Sequence, residues 1–371
     1  MASIRKRDGR PKPYEAVYRD PDGRQRTKSF RRKTDAQRFL VEVEADLARG
    51  AYVDPQAGRI TFAAFAEEWR AAQTVDGKTA EGLASHLSAH LLPAFGHLEL
   101  RAIRPSTVQG WIAEASRELK PSYVKLLLST LSAVLGAAVE DGLIARNAAR
   151  SRAVRPPSAP REKVVPLTVA EVRAITEAMH PRYAPLVTLA AGCGLRQGEA
   201  FGLRVSDVDF LRQRLEVRQQ VKHLKGQGIV VAPPKRGKQR SVPLPDAVAE
   251  AVAGHLARYP TERDGLVFTS TAGTPLNRGS WNARVWKPAV AAAGLEADGL
   301  GFHQLRHHYA SLLLHGGVSI RALAEYLGHD DPGFTLRTYA HVMPDSEDRA
   351  RQAIDAALTA CEPPVSQEGT R

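Results

Sequence analysis

The sequence predicts a mainly α, multidomain chain with small β parts. Three observations carry this expectation. The middle of the chain repeats apolar residues with a period near 3.6, short extended runs flank a Pro-Asp-Gly turn near the N-terminus, and strand-like runs joined by glycine-containing turns interrupt a helical pattern after Pro166. At 371 residues the chain is long enough for two or three separately cored domains. A composition of 43% hydrophobic and 25% charged residues places it among globular rather than disordered chains.

In residues 1–55, the runs 14–18 and 25–30 flank Arg19-Asp20-Pro21-Asp22-Gly23-Arg24. Proline presets the turn and glycine tolerates positive φ there, so two strands and a hairpin are expected. A helix over 34–49 follows, with Thr34 as its cap and Phe39, Leu40, Val43 and Leu47 at helical spacing. Residues 60–150 read as a helical bundle. Thr61 precedes Phe62, Phe65, Ala66 and Trp69, and further helices are expected over 84–92, 107–116 and 122–140. The last carries Val124, Leu127, Leu128, Leu131, Val134 and Leu135, a stripe suited to core packing, with Gly142 as its stop. Residues 151–165 hold three prolines, three arginines and a lysine without periodicity, which reads as a stiff basic linker. From 166 to 371 the pattern is mixed. Thr168-Val169-Ala170-Glu171 is a capping box, an apolar run over 186–191 leads to Gly192-Cys193-Gly194, and strands are expected over 215–221, 229–232 and 240–244. Helices return from Asp246 onward.

Composition also narrows the function. No run of 18 uninterrupted apolar residues suggests a membrane span, and no apolar segment follows the basic start as in a secretory signal, so no membrane partner is expected. Cys193 and Cys361 stand far apart with no CxxC, which argues against a disulfide framework or a zinc site and fits a reducing cytoplasm. The formal net charge is +12, and residues 1–38, with 13 Lys+Arg against 5 Asp+Glu, carry +8 of it. Cations and aromatics interleave in that segment, which points to a polyanion, double-stranded DNA, rather than to a solvated hairpin. The candidate contacts are Arg5, Lys6, Arg7, Arg19, Arg24, Arg26, Lys28, Arg31, Arg32 and Lys33.

Four motifs hold the chemistry: Gly194-Leu195-Arg196-Gln197-Gly198-Glu199; Pro234-Lys235-Arg236-Gly237-Lys238-Gln239-Arg240 running into Ser241-Val242-Pro243-Leu244; His303-Gln304-Leu305-Arg306-His307; and Leu327-Gly328-His329, followed ten residues later by Tyr339. Each alone is weak. An arginine after a glycine turn or a lysine on a hairpin is ordinarily solvated surface, and a His-x-x-Arg pair on one helix face is ordinarily polar surface. Together they make one parts list. Attack on a phosphodiester builds negative charge on its non-bridging oxygens, and two guanidinium forks can clamp them without a metal. A tyrosine hydroxyl, pKa near 10, becomes the nucleophile if a base or positive potential helps it, and a lysine or histidine protonates the departing 5′ oxygen.

In these motifs, in this order over residues 190–345, the chain resembles the tyrosine recombinases, and among them the phage-type integrases of temperate phages and integrative elements. The resemblance implies three parts: an N-terminal three-stranded sheet plus helix that binds arm-type DNA sites (1–55), a helical core-binding bundle (60–150), and, beyond the linker, an α-rich catalytic domain with a small antiparallel sheet (166–371). It implies that Arg196 and Arg306 bind the scissile phosphate, Lys235 is the general acid, His303 assists proton transfer with the nucleophile, His329 bonds the phosphate, and Tyr339 forms a 3′-phosphotyrosine. Lys238 stands as an alternative acid. Glu199 orients its neighbours, while His307, His308, Tyr309 and Tyr326 read as packing. It further implies a homotetramer on DNA, exchange through a Holliday junction, accessory DNA-bending proteins or an excisionase, no cofactor and no metal. The terminal segment 348–358 docks either on a neighbouring protomer or in cis. The rival readings are a type IB topoisomerase, a DNA-binding regulator that kept the fold, and a metal-dependent nuclease using His303, His307 and His329. The separate basic module, the intact phosphate-binding set and the lack of paired carboxylates argue against them in turn.

Overall fold

A computed structural model describes residues 3–21, 23–49, 52–54, 57–158, 164–342 and 347–359. The chain divides into two compact units, Met1–Arg161 and Glu162–Arg371. It is mainly helical, 54% against 13% strand.

The first unit opens with strands β1 (Ser3–Lys6), β2 (Tyr14–Arg19) and β3 (Gln25–Phe30), an antiparallel sheet in that order, followed by helix α1 (Lys33–Ala48). β1 is the strand that the residue pattern did not suggest by itself. In β2 the two-residue period sends Ala16 and Tyr18 towards α1, where Ala36, Phe39, Leu40 and Val43 meet them. Thr34 is not the cap of α1. The helix starts one residue earlier, Arg32 takes the extended N-cap position without a side-chain bond, and Thr34 is left with helical backbone angles from which its hydroxyl cannot serve as N-cap.

The helical part comprises α2 (Phe62–Ala71), α3 (Gly77–His86), α4 (Leu92–Phe95), α5 (Pro105–Ala115) and α6 (Pro121–Glu140). Thr61 caps α2, accepting the N–H of Ala64 at 3.3 Å. The helix expected over 84–92 is the middle of a longer run, because a π-helical turn, Leu87–Leu91, joins α3 to α4. α5 and α6 begin earlier than expected because Pro105 and Pro121 occupy their first turns, where a missing N–H costs nothing. By length and composition α6 is apolar enough to cross a membrane, but Val124, Leu127, Leu131, Val134 and Leu135 are buried inside this unit. Val154, from the expected linker, is buried in the same core, while 159–163 lie outside the described residues.

The second unit begins with α7 (Val169–Ala178), whose Thr168–Glu171 capping box is formed, and α8 (Ala184–Cys193). α9 (Gln197–Phe201) then precedes β4 (Val208–Asp209), β5 (Arg214–Val217), β6 (Gln220–Leu224), β7 (Gly228–Ala232) and β8 (Arg240–Pro243). One expected strand, 215–221, is in fact two. The chain breaks at Arg218–Gln219, where Gln219 donates to the Gly202 carbonyl at 2.8 Å, so β5 pairs with β4 and β8 while β6 pairs with β7. Two small antiparallel sheets result rather than one. Then come α10 (Asp246–Arg258), α11 (Arg278–Trp281), α12 (Lys287–Ala292), α13 (His303–His315), α14 (Ile320–Leu327), α15 (Pro332–Tyr339) and α16 (Glu347–Thr359). α8 is the hub, burying Leu186, Val187, Leu189, Ala190 and Cys193 against α7, α10 and α13. On α16, Ile354 and Leu358 are exposed, so these two residues do not pack in cis.

Candidate active site

The four motifs fall at or near the ends of elements of the second unit. α8 stops on Gly194 in the left-handed conformation, φ +63°, and a Cβ there would lie 2.3 Å from the Tyr309 ring. The chain reverses at once and presents Arg196 at the N-cap of α9. α14 stops in the same way on Gly328, φ +63°, which directs Leu327 and His329 back towards the two arginines.

Glu199 is the buried pivot. Its Oε1 accepts from Arg196 Nη1 at 2.8 Å and from Arg240 Nη1 at 3.0 Å, and its Oε2 accepts from Arg240 Nη2 at 2.7 Å and from the Arg196 backbone N–H at 2.9 Å. Burial alone would raise its carboxyl, but the bonds and charges of Arg240 and Arg196 outweigh it and hold the group down at about 2. Arg240 also donates Nε to the Tyr326 carbonyl at 2.6 Å, tying β8 to the end of α14. Arg196 Nη2 reaches the Gly328 carbonyl at 3.3 Å.

Arg306, on α13, is 1% exposed. Its Nη1 donates to the Gly194 carbonyl at 2.7 Å, and its Nη2 donates to the Leu327 carbonyl and to His329 Nε2, the latter at 3.1 Å. Arginine only donates, so Nε2 of His329 accepts, and the proton sits on Nδ1, which donates to Thr335 Oγ1 at 2.7 Å. Burial, then Arg306 and Arg196, push His329 down to about 3, in keeping with a neutral ring. Burial and the neighbouring Arg196 and Arg240 lower Arg306 to about 9, leaving it charged at neutral pH.

An open cavity of about 510 Å³ lies over this frame. Five of the six expected catalytic side chains line it: Arg196, Lys235, His303, Arg306 and His329. Lys235 opens the short turn after β7 and is exposed to the cavity. Lys238 lies outside that lining, with its Nζ 3.4 Å from the His329 carbonyl and 3.6 Å from Asp330 Oδ1.

Tyr339 ends α15, is 1% exposed, and does not line the cavity. Its hydroxyl is bonded to His307 Nδ1 at 2.7 Å, and burial pushes it up to about 12. His303, the expected assistant, has no bond to Tyr339; its ring stands edge-on against His307, 4.8 Å between centroids. His307, read from the sequence as packing, is instead the hydrogen-bond partner of the Tyr339 hydroxyl. The signal was present, since residues 303 and 307 are four apart on a helix and share a face. His308 is structural, bonded to the Leu167 carbonyl at 2.6 Å. Arg240 and Thr335 were also missed. Nothing in the basic run Lys235-Arg236-Gly237-Lys238-Gln239-Arg240 set the first apart from its neighbours. Among the described residues no cluster of His, Cys, Asp and Glu forms a metal-binding group.

The basic N-terminal residues sort by face. Arg5, Arg7 and Arg19 belong to the sheet face turned away from α1; Arg7 pairs with Glu15 at 3.0 Å and Arg19 donates to the Gly23 carbonyl at 2.7 Å. Lys6, Arg26 and Lys28 lie in the other register. Lys6 pairs with Asp8 at 2.8 Å, Arg26 with Asp20 at 2.9 Å and with Asp54 at 2.5 Å, and Lys28 sits 4.4 Å above the Phe39 ring. Arg24, Arg31, Arg32 and Lys33 are exposed in the hairpin turn and at the β3–α1 junction.

Comparison with known proteins agrees with this geometry. Residues 166–345 match the phage integrase family and residues 62–153 match the phage integrase central domain. A Mycobacterium tuberculosis protein designated a prophage phiRv2 integrase is 30% identical over 341 residues, covering 88% of each chain. Among solved structures, the Tn1549 transposon integrase with transposon right end DNA superposes with a TM-score of 0.71 at 20% identity, covering 81% of this chain and 100% of that one. A lambda integrase tetramer bound to a Holliday junction gives 0.55 at 20% identity, covering 89% and 96%.

Proposed function

The chain belongs to the phage integrase family, and from that premise we propose how its own side chains carry out the reaction. It is a tyrosine site-specific recombinase, an enzyme that cuts and rejoins DNA and acts as a multimer. The topoisomerase and regulator readings are not favoured.

Arg196 and Arg306 grip the scissile phosphate from two sides and stabilise the charge that builds on its non-bridging oxygens. Their forks are pre-aimed by buried partners, Glu199 for the first and the Gly194 and Leu327 carbonyls for the second. Tyr339 Oη forms a bond to phosphorus as the P–O5′ bond breaks, leaving a 3′-phosphotyrosine. Lys235 gives its proton to the departing 5′ oxygen; its place on the cavity wall, where Lys238 is instead turned to the His329 carbonyl, favours it. His303, on the cavity wall, takes up the proton that the Tyr339 hydroxyl loses on attack, while His329, its Nε2 accepting from Arg306 and its Nδ1–H given to Thr335, braces the Arg306 fork rather than donating to the phosphate. The reverse attack by a 5′ hydroxyl rejoins the strand without ATP.

Four protomers, two on each of two sites, exchange strands in pairs through a Holliday junction, an assembly in which lambda integrase has been captured. The exposed Ile354 and Leu358 of α16 suit docking on a neighbouring protomer. The N-terminal sheet reads arm-type sites through its exposed cations, the helical bundle grips core DNA, and accessory DNA-bending proteins or an excisionase bias the direction. All of this proceeds in the cytoplasm, at the nucleoid. The observation that carries the reading is the convergence of two guanidinium groups, a lysine and two histidines on one cavity. The test is single-turnover cleavage with Arg196→Ala and Arg306→Ala. Each should slow cleavage by on the order of 10²–10³ while site binding persists; wild-type cleavage rates would contradict the clamp.

A further inference from the structure

The proposed nucleophile is not where the phosphate would sit. Arg196 and Arg306 line the cavity, whereas Tyr339 lies outside that lining, 1% exposed. What holds it is specific: Tyr339 Oη and His307 Nδ1 are 2.7 Å apart and their ring centroids 5.6 Å apart. His307 in turn packs edge-on against His303, 4.8 Å between centroids, and His303 is the member of this stack that lines the cavity. The row Tyr339–His307–His303 therefore runs from a buried hydroxyl to the cavity wall.

We propose that His307 is a positioning residue that latches the Tyr339 hydroxyl in a withheld position, and that phosphate contact at His303 is what disturbs the latch. This rests on the reading of Tyr339 as nucleophile. The alternative, that His307 is the base for the attack itself, predicts the opposite sign: removing the bond would slow adduct formation, whereas removing a latch speeds it. A latch needs only that the bond breaks before attack. A neutral hydrogen bond of this kind shifts an equilibrium by roughly 2- to 10-fold, enough to bias a resting state yet easily overcome when DNA is bound.

Two readouts test it, only one of which uses DNA. The first is nitration of Tyr339 in the full-length protein by tetranitromethane, followed by peptide mass spectrometry, with buried Tyr309 as internal reference. The second is the rate of covalent adduct formation on a nicked suicide substrate. His307→Ala removes the bond, His307→Leu removes it while filling the space so that packing survives, and His307→Asn places an amide where Nδ1 was and keeps the contact. The latch predicts several-fold faster nitration of Tyr339 and several-fold faster adduct formation in the Ala and Leu variants, with both restored towards wild type by Asn. Unchanged nitration, or adduct formation slowed in Ala and Leu, overturns the latch. If nitration follows the predicted order but the adduct forms at another residue, the latch stands and the assignment of the nucleophile fails.

Discussion

Arg240 gives both of its terminal nitrogens to Glu199, at 3.0 and 2.7 Å, and the pair is almost wholly buried. Glu199 in turn holds Arg196, so the aim of the arginine proposed to clamp the phosphate depends on a residue of another element, outside its own motif. Removing Arg240 strips the buried Glu199 carboxylate of its two-pronged partner and leaves it only the bonds from Arg196. Arg240→Leu should therefore destabilise the chain by about 3–5 kcal/mol. Denaturant unfolding checks the number; a change within about 0.5 kcal/mol, as at an ordinary surface site, would contradict it.

The Thr335–His329 bond, 2.7 Å, fixes which nitrogen of His329 carries the proton. Thr335→Val keeps shape but removes the oxygen, freeing the ring to rotate or to change tautomer. Cleavage should slow by roughly tenfold, by analogy with loss of outer partners that orient histidines elsewhere, and Thr335→Ser should recover most of it. A Val variant as fast as wild type would remove Thr335 from the account.

The general acid can be identified by its leaving group. A substrate with sulfur in place of the bridging 5′ oxygen departs as a thiolate and needs no proton. Lys235→Ala should be slowed on the oxygen ester by roughly 10²–10⁴ and recover on the sulfur ester. If Lys238→Ala shows that pattern and Lys235→Ala does not, the two roles are reversed.

His307 and His329 have folded-state pKa values held down near 4 and near 3, chiefly by burial, so the unfolded chain binds protons where the folded chain does not. Their contribution to stability is full above the unfolded histidine value of about 6.5 and is lost as pH falls towards the folded values. Tm should fall between pH 7.5 and pH 5, a window above the range in which Glu199, held down at about 2, begins to matter. A flat or rising Tm over that window would mean that the rings are not neutral and buried as described.

In the N-terminal sheet, the exposed Arg5 and the internally paired Arg26 should behave differently. Arg5→Gln should weaken arm-site binding and reduce the slope of log K against log salt by about 1. Arg26→Gln should act mainly through the hairpin, lowering Tm. Equal salt slopes for wild type and the Arg5 variant would remove that residue from the interface.

Most of the site was legible because motif residues sit at helix ends and turns that the sequence marks with glycine: Gly194 before Arg196 and Gly328 before His329. What stayed hidden was pairing between elements distant in sequence. Nothing near Arg240 says that it meets Glu199, and nothing near Thr335 says that it meets His329, because those contacts exist only once β8, α9, α14 and α15 have packed. The fold shows the same division. Helices with strong apolar stripes, such as α6, were readable to within a residue or two, whereas the break between β5 and β6 depends on a tertiary bond from Gln219.

The identity of the nucleophile is tested most directly by trapping the protein on a nicked suicide substrate and sequencing the DNA-linked peptide, with Tyr339→Phe alongside. The linked residue should be Tyr339, and the Phe variant should bind the site normally yet leave no adduct on a denaturing gel. An adduct that persists in Tyr339→Phe, or a linked peptide lacking residue 339, would contradict the account at its centre.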